Sequence, residues 1–341
     1  MSRIRNMEEF AAISGISRPT LSKYFNDPAS VRVSTRERIE AALAQHDFRP
    51  NIYAINQNRR LTKTVGIVVP YLTDPFFGEI ARKIEQHCVA AGFSPSVFSA
   101  YGSRDLEVEI LDGLRSLRPA GVLLAPLGRE SNKSEIERFC QDVPTVLFDS
   151  NLEGLGEAFV GSDNASFVSQ TVDYLARSGE APVFFEMRHP ANPNANKRRN
   201  AYVEKMEALH LAAQVVQIEG TGWAFEEIGR DGALDLLSSD ALTSNTVLCS
   251  NDRLAIGFLS ACYDRGVKVG RDADCTLRVA SHDDHPFSKF TCPSLTTAAH
   301  DYEAVSRDAM DTLAKLIEAG GRFDKRTETL HAARLIMRDS A

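Results

Sequence analysis

The sequence predicts an α/β protein: a three-helix N-terminal head followed by a core of two doubly wound lobes. Three observations predict it. From Thr64 onward, short apolar runs alternate with segments of helical period about ten times, more than one parallel sheet usually holds. Before Thr64 no such run occurs, and apolar residues instead recur at helical spacing. The charge changes at the same place. Residues 1–64 hold 11 Lys and Arg against 6 Asp and Glu, which leaves 28 of the chain's 39 basic and 40 of its 46 acidic residues to the rest. A basic head on an acidic body turns the head toward a polyanion and holds the body off it.

The 341 residues suffice for two or three packed domains, and 43% hydrophobic with 25% charged residues is ordinary for a globular chain. No run of about 18 apolar residues could span a bilayer, and Met1-Ser2-Arg3-Ile4-Arg5 leads into no apolar signal core, so neither a membrane partner nor secretion is expected. Cys88, Cys140, Cys249, Cys262, Cys275 and Cys292 are scattered without a Cys-x-x-Cys pair. They predict small buried apolar residues in a reducing compartment, not a disulfide framework or a zinc site.

In the head, Asn6-Met7-Glu8-Glu9 has capping-box spacing and opens a helix with Met7, Phe10 and Ala11 on one face; Gly15 ends it. Ser17 can cap the next helix, where Pro19 sits in the first turn and forfeits no internal hydrogen bond. Leu21, Tyr24 and Phe25 form its stripe before Asn26-Asp27-Pro28. Ser34-Thr35-Arg36-Glu37 reads as a second capping box, with Ile39, Ala42 and Leu43 the third stripe before Pro50. Helix, short glycine turn, helix is the signature of a helix-turn-helix. The following Asn-Ile-Tyr-Ala-Ile-Asn-Gln-Asn-Arg-Arg-Leu-Thr, residues 51–62, is too polar for a core helix and is read as a linker able to bond phosphate or base edges.

In the core, residues 65–69 are a continuous apolar run, as a strand covered on both faces should be, and 121–125, 145–148, 183–185, 246–249 and 277–280 are similar runs. Helical segments such as 76–91, 105–117, 165–178, 197–209, 225–238 and 252–265 lie between them.

With these elements in place, the chain resembles the lactose-repressor (LacI) family over almost its whole length. Ile16-Ser17-Arg18-Pro19-Thr20-Leu21-Ser22-Lys23-Tyr24-Phe25-Asn26 is similar to the family's recognition-helix motif, and Phe48-Arg49-Pro50-Asn51 to its junction before the hinge helix. Val65-Gly66-Ile67-Val68-Val69-Pro70 followed by Asp74-Pro75-Phe76-Phe77 looks like the first core strand and loop. Ser250-Asn251-Asp252, Ser281-His282-Asp283-Asp284 and Pro293-Ser294-Leu295-Thr296-Thr297 match later core motifs. The resemblance implies a helix-turn-helix DNA-binding domain at 1–50, a hinge helix or linker at 51–63, and a periplasmic-binding-protein-like core crossed three times by the chain. One lobe would hold 64–161 and 294–323, the other 162–293 and 324–341. It also implies a homodimer on a pseudo-palindromic double-stranded operator, and no cofactor. No heptad pattern follows Arg334-Leu335-Ile336-Met337-Arg338, so a tail-mediated tetramer is not expected.

By the family pattern, Arg18, Pro19 and Lys23 meet base edges. Arg18 suits a bidentate bond to guanine, Lys23 a guanine or phosphate, and Pro19 an apolar contact. Ser17, Thr20, Ser22 and Asn26 are short donors suited to phosphates, which fix register without reading sequence. The hinge departs from the family: Gln57 stands where members usually place a leucine that wedges into the minor groove. Either Ile55 supplies the wedge, or Gln57 bonds along the groove with less kinking.

A small-molecule site is expected where strands of the two lobes end. Asp149, Asn251 and Asp283 each follow an apolar run, and Arg198 is expected to open a helix. By resemblance these bind effector hydroxyls, while Phe76 and Trp223, the chain's single tryptophan, line or stack on the ligand. Carboxylates with Arg, Asn and an indole suit a sugar or polyol. The stretch His189-Pro190-Ala191-Asn192-Pro193-Asn194-Ala195-Asn196 lacks the Arg and Thr of purine-sensing members. The function expected is that of an effector-responsive cytoplasmic regulator, a repressor, without enzymatic activity. Two other readings compete. A metal-dependent hydrolase would use His282-Asp283-Asp284-His285, but consecutive residues at a strand end point to opposite sides, and His189, His300 and His331 are read as standing alone. A solute-binding protein would share the core but has no use for a basic head.

Overall fold

A computed structural model describes residues 4, 6–46, 48, 62–239 and 241–341. The chain divides into two compact units, Met1–Thr62 and Lys63–Ala341.

The first unit holds α1 (Met7–Ser14), α2 (Arg18–Asn26) and α3 (Val33–His46). The Asn6 side chain accepts from the N–H groups of Glu8 and Glu9, which caps α1. Gly15 ends that helix with φ 65°, a left-handed conformation that a residue without Cβ adopts cheaply. Ser17 caps α2 through the Thr20 N–H. Phe10, Ile16, Leu21, Ile39 and Phe48 are buried together, with Phe10 stacked on Phe48 at 4.5 Å. Ser34 does not cap α3. The Arg32 carbonyl accepts from both Thr35 and Arg36, so the helix starts earlier and Ser34 lies within its first turn.

The second unit is built on two six-stranded sheets. The first comprises β1 (Thr64–Val69), β2 (Ser94–Ser99), β3 (Gly121–Leu124), β4 (Thr145–Phe148), β5 (Ala158–Ser162) and β11 (Thr327–His331), in the order β11-β5-β4-β3-β1-β2. Every neighbouring pair is parallel; Ile67, for example, faces Val97 on one side and Leu123 on the other. The second comprises β6 (Val183–Met187), β7 (Val215–Ile218), β8 (Thr246–Cys249), β9 (Arg278–Asp283), β10 (Thr296–Ala299) and β12 (Arg334–Ile336), in the order β12-β10-β9-β8-β6-β7. Only the β10–β12 pair is antiparallel.

Helices cover both faces of each sheet, which is why most positions in the central strands are buried. On the first sheet, α4 (Pro75–Ala90) and α11 (Tyr302–Glu318) pack on one face around Ile67, Phe77, Ile84 and Leu313. There α5 (Arg104–Leu117) and α6 (Lys133–Asp142) cover the other around Leu114, Leu124 and Phe139. On the second sheet, α9 (Phe225–Ser238) and α10 (Asp252–Asp264) pack around Phe185 and Phe258, and α7 (Asn164–Ser178) with α8 (Asn194–Ala208) around Phe184 and Tyr202. No described helix is long and apolar enough to cross a membrane.

The lobe limits differ from expectation at the last two crossings. Expected in the first lobe, β10 joins the second sheet, parallel to β9; expected in the second, β11 joins the first, parallel to β5. The cause lies in how short the links are. Only His300 and Asp301 separate β10 from α11, and only Ala332 and Ala333 separate β11 from β12, so neither crossing leaves a linker in the sequence.

Both sheets are doubly wound. β1 is flanked by β2 and β3, and β6 by β7 and β8, so connections leave to opposite sides and open a crevice at the strands' carboxyl ends. The cleft described next lies there.

Candidate functional site

The six residues expected to bind an effector all line one cleft of about 450 Å³, its open mouth included: Phe76, Asp149, Arg198, Trp223, Asn251 and Asp283. Asp149 follows β4, Asn251 follows β8 and Asp283 ends β9. Arg198 does not open its helix. α8 begins at Asn194, and Arg198 lies one turn in, which brings its side chain under Asp283.

Arg198 is 7% exposed and bonded through each of its three nitrogens: it donates to Asn164 at 3.0 Å, to the Ser250 carbonyl at 2.7 Å and to Asp283 Oδ1 at 2.7 Å. His300 donates to or accepts from Ser162 Oγ at 2.7 Å through Nδ1, and its Nε2 lies 3.0 Å from Asp283 Oδ1. Burial pushes the Asp283 carboxyl up, but Arg198 and His300 outweigh it and hold Asp283 below the usual carboxylate range. Burial itself lowers the His300 imidazole, against the pull of Asp283.

Asp149 behaves in the opposite way. Burial raises it to about 6, more than Arg198 and Lys197 lower it. Its oxygens accept from Asn194 at 2.9 Å and Asn192 at 3.4 Å, so a residue of the first lobe is bonded to the loop and helix of the second. Asp149 (φ 59°), Asp283 (φ 120°) and Asp284 (φ 53°) hold backbone conformations that cost non-glycine residues energy and that concentrate at binding sites.

Three further contacts join the lobes. Asp74 caps α4 through the Phe76 N–H and accepts from Arg253 at 3.0 Å; Arg253 also forks onto Glu226 at 2.7 and 2.6 Å. Trp223 stacks on Tyr71. The Tyr302 hydroxyl donates to the Asp283 carbonyl at 3.2 Å. Phe76 packs against His300 at 4.9 Å. Asn251 also caps α10 by accepting from the Leu254 N–H at 2.9 Å, so its structural and lining positions coincide.

Asp74, Asn192, Asn194, Arg253, His285 and His300 line the cleft as well and were not anticipated. His300 does not stand alone, as it bonds Asp283. The strand-end alternation is as expected: Asp283 and His285 face the cleft, while His282 bonds the Cys249 carbonyl and Asp284 pairs with Arg338. Burial lowers His282 to about 3. Among the described residues, no three His, Cys, Asp or Glu side chains are grouped to hold a metal.

In the first unit, Ser17, Arg18, Pro19 and Lys23 are exposed along the start of α2, and Thr20 and Ser22 are half-buried. Ser17 Oγ and Thr20 Oγ1 are 2.7 Å apart, and Arg18 pairs with Glu8. The side chain of Asn26, and Ile55 and Gln57 entirely, lie outside the described residues.

Comparison with known proteins places both units. Residues 6–51 match the family of bacterial regulatory proteins of the lacI type, and residues 172–341 match a periplasmic binding protein-like domain. The chain is 25% identical to the HTH-type transcriptional regulator MalR of Streptomyces coelicolor, over 98% of this chain and 96% of that protein. It is 26% identical to the ribose operon repressor of Bacillus subtilis, over 92% of this chain and 91% of that protein. In fold it is similar to the Lac repressor bound to ONPG, with a TM-score of 0.83 at 20% identity over 100% of both chains. A LacI-family regulator of Enterococcus faecium with bound ribose superimposes with a TM-score of 0.67 at 19% identity, over 81% of this chain and 98% of that one. A lacI-type head, a periplasmic-binding-protein-like core and regulators matched over nearly their whole length establish that this chain belongs to the lactose-repressor (LacI) family of bacterial transcriptional regulators.

Proposed function

We propose that this chain is a cytoplasmic, operator-binding repressor that senses a sugar or polyol in the cleft, acts as a homodimer and catalyses no reaction. The observation that carries the reading is the convergence of Asp149, Arg198, Asn251 and Asp283 with Phe76 and Trp223 on one cleft. Carboxylates and amides suit hydroxyls, and aromatic faces suit the C–H side of a sugar ring. The relatives support the same class: one represses a ribose operon, and one neighbour in fold holds ribose.

On DNA, Arg18, Pro19 and Lys23 are proposed to meet base edges, and Ser17, Thr20, Ser22 and Asn26 to meet phosphates. Ile55 and Gln57 are proposed to act at the operator's centre. Control works by linkage. An effector that binds one arrangement of the lobes more tightly shifts the population toward it, and operator affinity changes by the ratio of the effector's affinities for the two arrangements.

The test has two parts. Sugars and polyols are screened for a rise in melting temperature, since binding to the native state alone must stabilise it. The protein is then used to select double-stranded DNA from a random pool, with and without the stabilising compound. The expected result is a pseudo-palindromic site whose affinity changes with that compound. Selection of no site, or a site indifferent to every stabilising compound, would overturn the reading.

A further inference from the structure

The polar groups around the cleft are mostly engaged with one another. Arg198 donates to Asn164, Ser250 and Asp283, Arg253 to Glu226 and Asp74, and His300 reaches Ser162 and Asp283 with its two ring nitrogens. His285 is different. It is 2% exposed and lines the cleft, and neither of its ring nitrogens has a hydrogen-bond partner. No other described residue that lines the cleft has a buried side-chain atom in this condition. Burying an imidazole with both nitrogens unbonded is costly, and a site where that cost persists is a place where a ligand can relieve it.

The main chain that carries the ring is held firmly. Its N–H donates to Asp252 Oδ2 at 3.0 Å, and Asp252 is itself fixed by Thr297 and Ser288. The nearest carboxylate oxygen is Asp283 Oδ2, 3.6 Å from Nε2 and beyond hydrogen-bond reach. Asp283 Oδ1, by contrast, already receives Arg198 and His300. An acceptor oxygen and a ring nitrogen thus lie side by side, too far apart to bond each other and close enough for one oxygen atom placed beside them to reach both.

We infer that His285 is a direct ligand contact and that His285 and Asp283 together grip one hydroxyl of a polyhydroxy ligand. The hydroxyl donates to Asp283 Oδ2 and accepts from the Nε2–H of His285, a combination that a methylene or an ether oxygen cannot supply. Nδ1 is then an acceptor for a second hydroxyl. A carboxylate in that position would meet Asp283 directly, with Asp74 and Asp252 close enough to feel the same imidazole, so a sugar acid does not place its acid group there. The ligand class is a neutral polyol with a free hydroxyl at this point. The inference rests on the sugar-or-polyol reading above.

The test uses the full chain and a defined probe set: D-ribose, D-xylose, D-glucose, D-galactose, their alditols and their monodeoxy derivatives, by thermal shift and then calorimetry. The wild type is expected to bind a parent sugar roughly ten- to a hundredfold more tightly than one of its monodeoxy derivatives. His285→Ala should bind the parent no better than that derivative and lose little further affinity for the derivative itself. His285→Gln, which keeps a donor and an acceptor, should recover part of the preference. Melting temperatures of the unliganded variants report folding independently. If no probe stabilises the wild type, the sugar-or-polyol reading falls and this inference with it. If a probe binds and His285→Ala keeps the wild-type preference against every deoxy derivative, only the role of His285 is overturned.

Discussion

Trp223 lies flat on Tyr71, with ring centroids 5.2 Å apart and planes within 3° of parallel. Tyr71 follows β1 of the first lobe and Trp223 follows β7 of the second, so the stack is a contact across the cleft. The indole also covers Gly102, where a Cβ would lie 2.7 Å from its Nε1, so the first lobe leaves room for it. Because Trp223 is the chain's one tryptophan, tryptophan emission reports on this indole and its neighbours Tyr71, Phe77 and Phe225. Tyr71→Ala should shift the emission to longer wavelength by admitting water to the ring, and a sugar that enters the cleft should change the wild-type spectrum. A spectrum indifferent to both would place the indole away from the moving contact.

The Asp74–Arg253 bond is the second cross-lobe prediction. Both side chains are largely buried, 7% and 12% exposed, and Arg253 lies over the Phe225 ring at 5.0 Å. Removing one member of a buried pair strands the other's charge, so Arg253→Ala should cost roughly 3 kcal/mol, more than Asp74→Asn, which removes charge but keeps an acceptor. Denaturant unfolding of both single variants and the double variant measures the coupling. Strictly additive losses would mean that the two side chains do not support each other.

Asp149 gives a prediction in pH. Burial raises this carboxyl from 3.8 to about 6, so the folded chain holds the proton longer than the unfolded chain does. The group therefore costs nothing below its ordinary range, and its destabilising effect grows as pH rises toward 6. Asp252, also raised by burial to about 6, contributes in the same direction. Asp283 opposes them: held low, it stabilises the fold above the ordinary carboxylate range, and that gain is lost as pH falls through its depressed value. Asp149→Asn keeps the acceptor for Asn194, suits a φ of 59°, and removes one titrating group. Its stability relative to wild type should rise between about pH 4 and pH 7, by on the order of 1–3 kcal/mol. A difference that is flat with pH would show that Asp149 ionises normally.

How much of this was legible in the sequence follows from burial. β1, β3, β4 and β8 announce themselves because helices cover both faces of each sheet and every position after an opening Thr or Gly, Gly66 aside, is a large apolar residue or Cys. β2 and β11 sit at sheet edges, are partly exposed, and read as Ser94-Pro95-Ser96 and Thr327-Glu328-Thr329, which no apolar pattern marks. The same logic sorts the cleft. Asp149, Asn251 and Asp283 could be found because each ends a legible strand. His300 was missed because its strand, β10, was assigned to the other lobe. Asp74 and Arg253 were missed because their bond joins residues 179 positions apart, and no local pattern encodes it. Asn192-Pro193-Asn194 reads as loop, so the start of α8 and the depth of Arg198 in it were hidden until the fold was seen.

The recognition helix gives the last prediction, and magnitudes decide it. Arg18 Nη1 lies 2.7 Å from Glu8 Oε1, with the two side chains 64% and 71% exposed. An exposed pair of this kind is worth only about 0.2–1 kcal/mol, whereas a bidentate arginine–guanine contact is worth about 1–3 kcal/mol. Arg18 should therefore leave Glu8 when a guanine is presented. Glu8→Gln removes the competitor and should tighten operator binding by up to about fivefold. Arg18→Ala should cost roughly 1–3 kcal/mol and relax preference at one operator position, while Lys23→Ala, if it meets a phosphate, should weaken all sequences alike and lower the salt slope by about one. Binding to the selected operator, varied base by base and at several salt concentrations, separates these outcomes. Equal loss on every sequence in Arg18→Ala would make Arg18 a phosphate contact. Weaker binding in Glu8→Gln would show that Glu8 steers Arg18 toward the groove instead of competing for it.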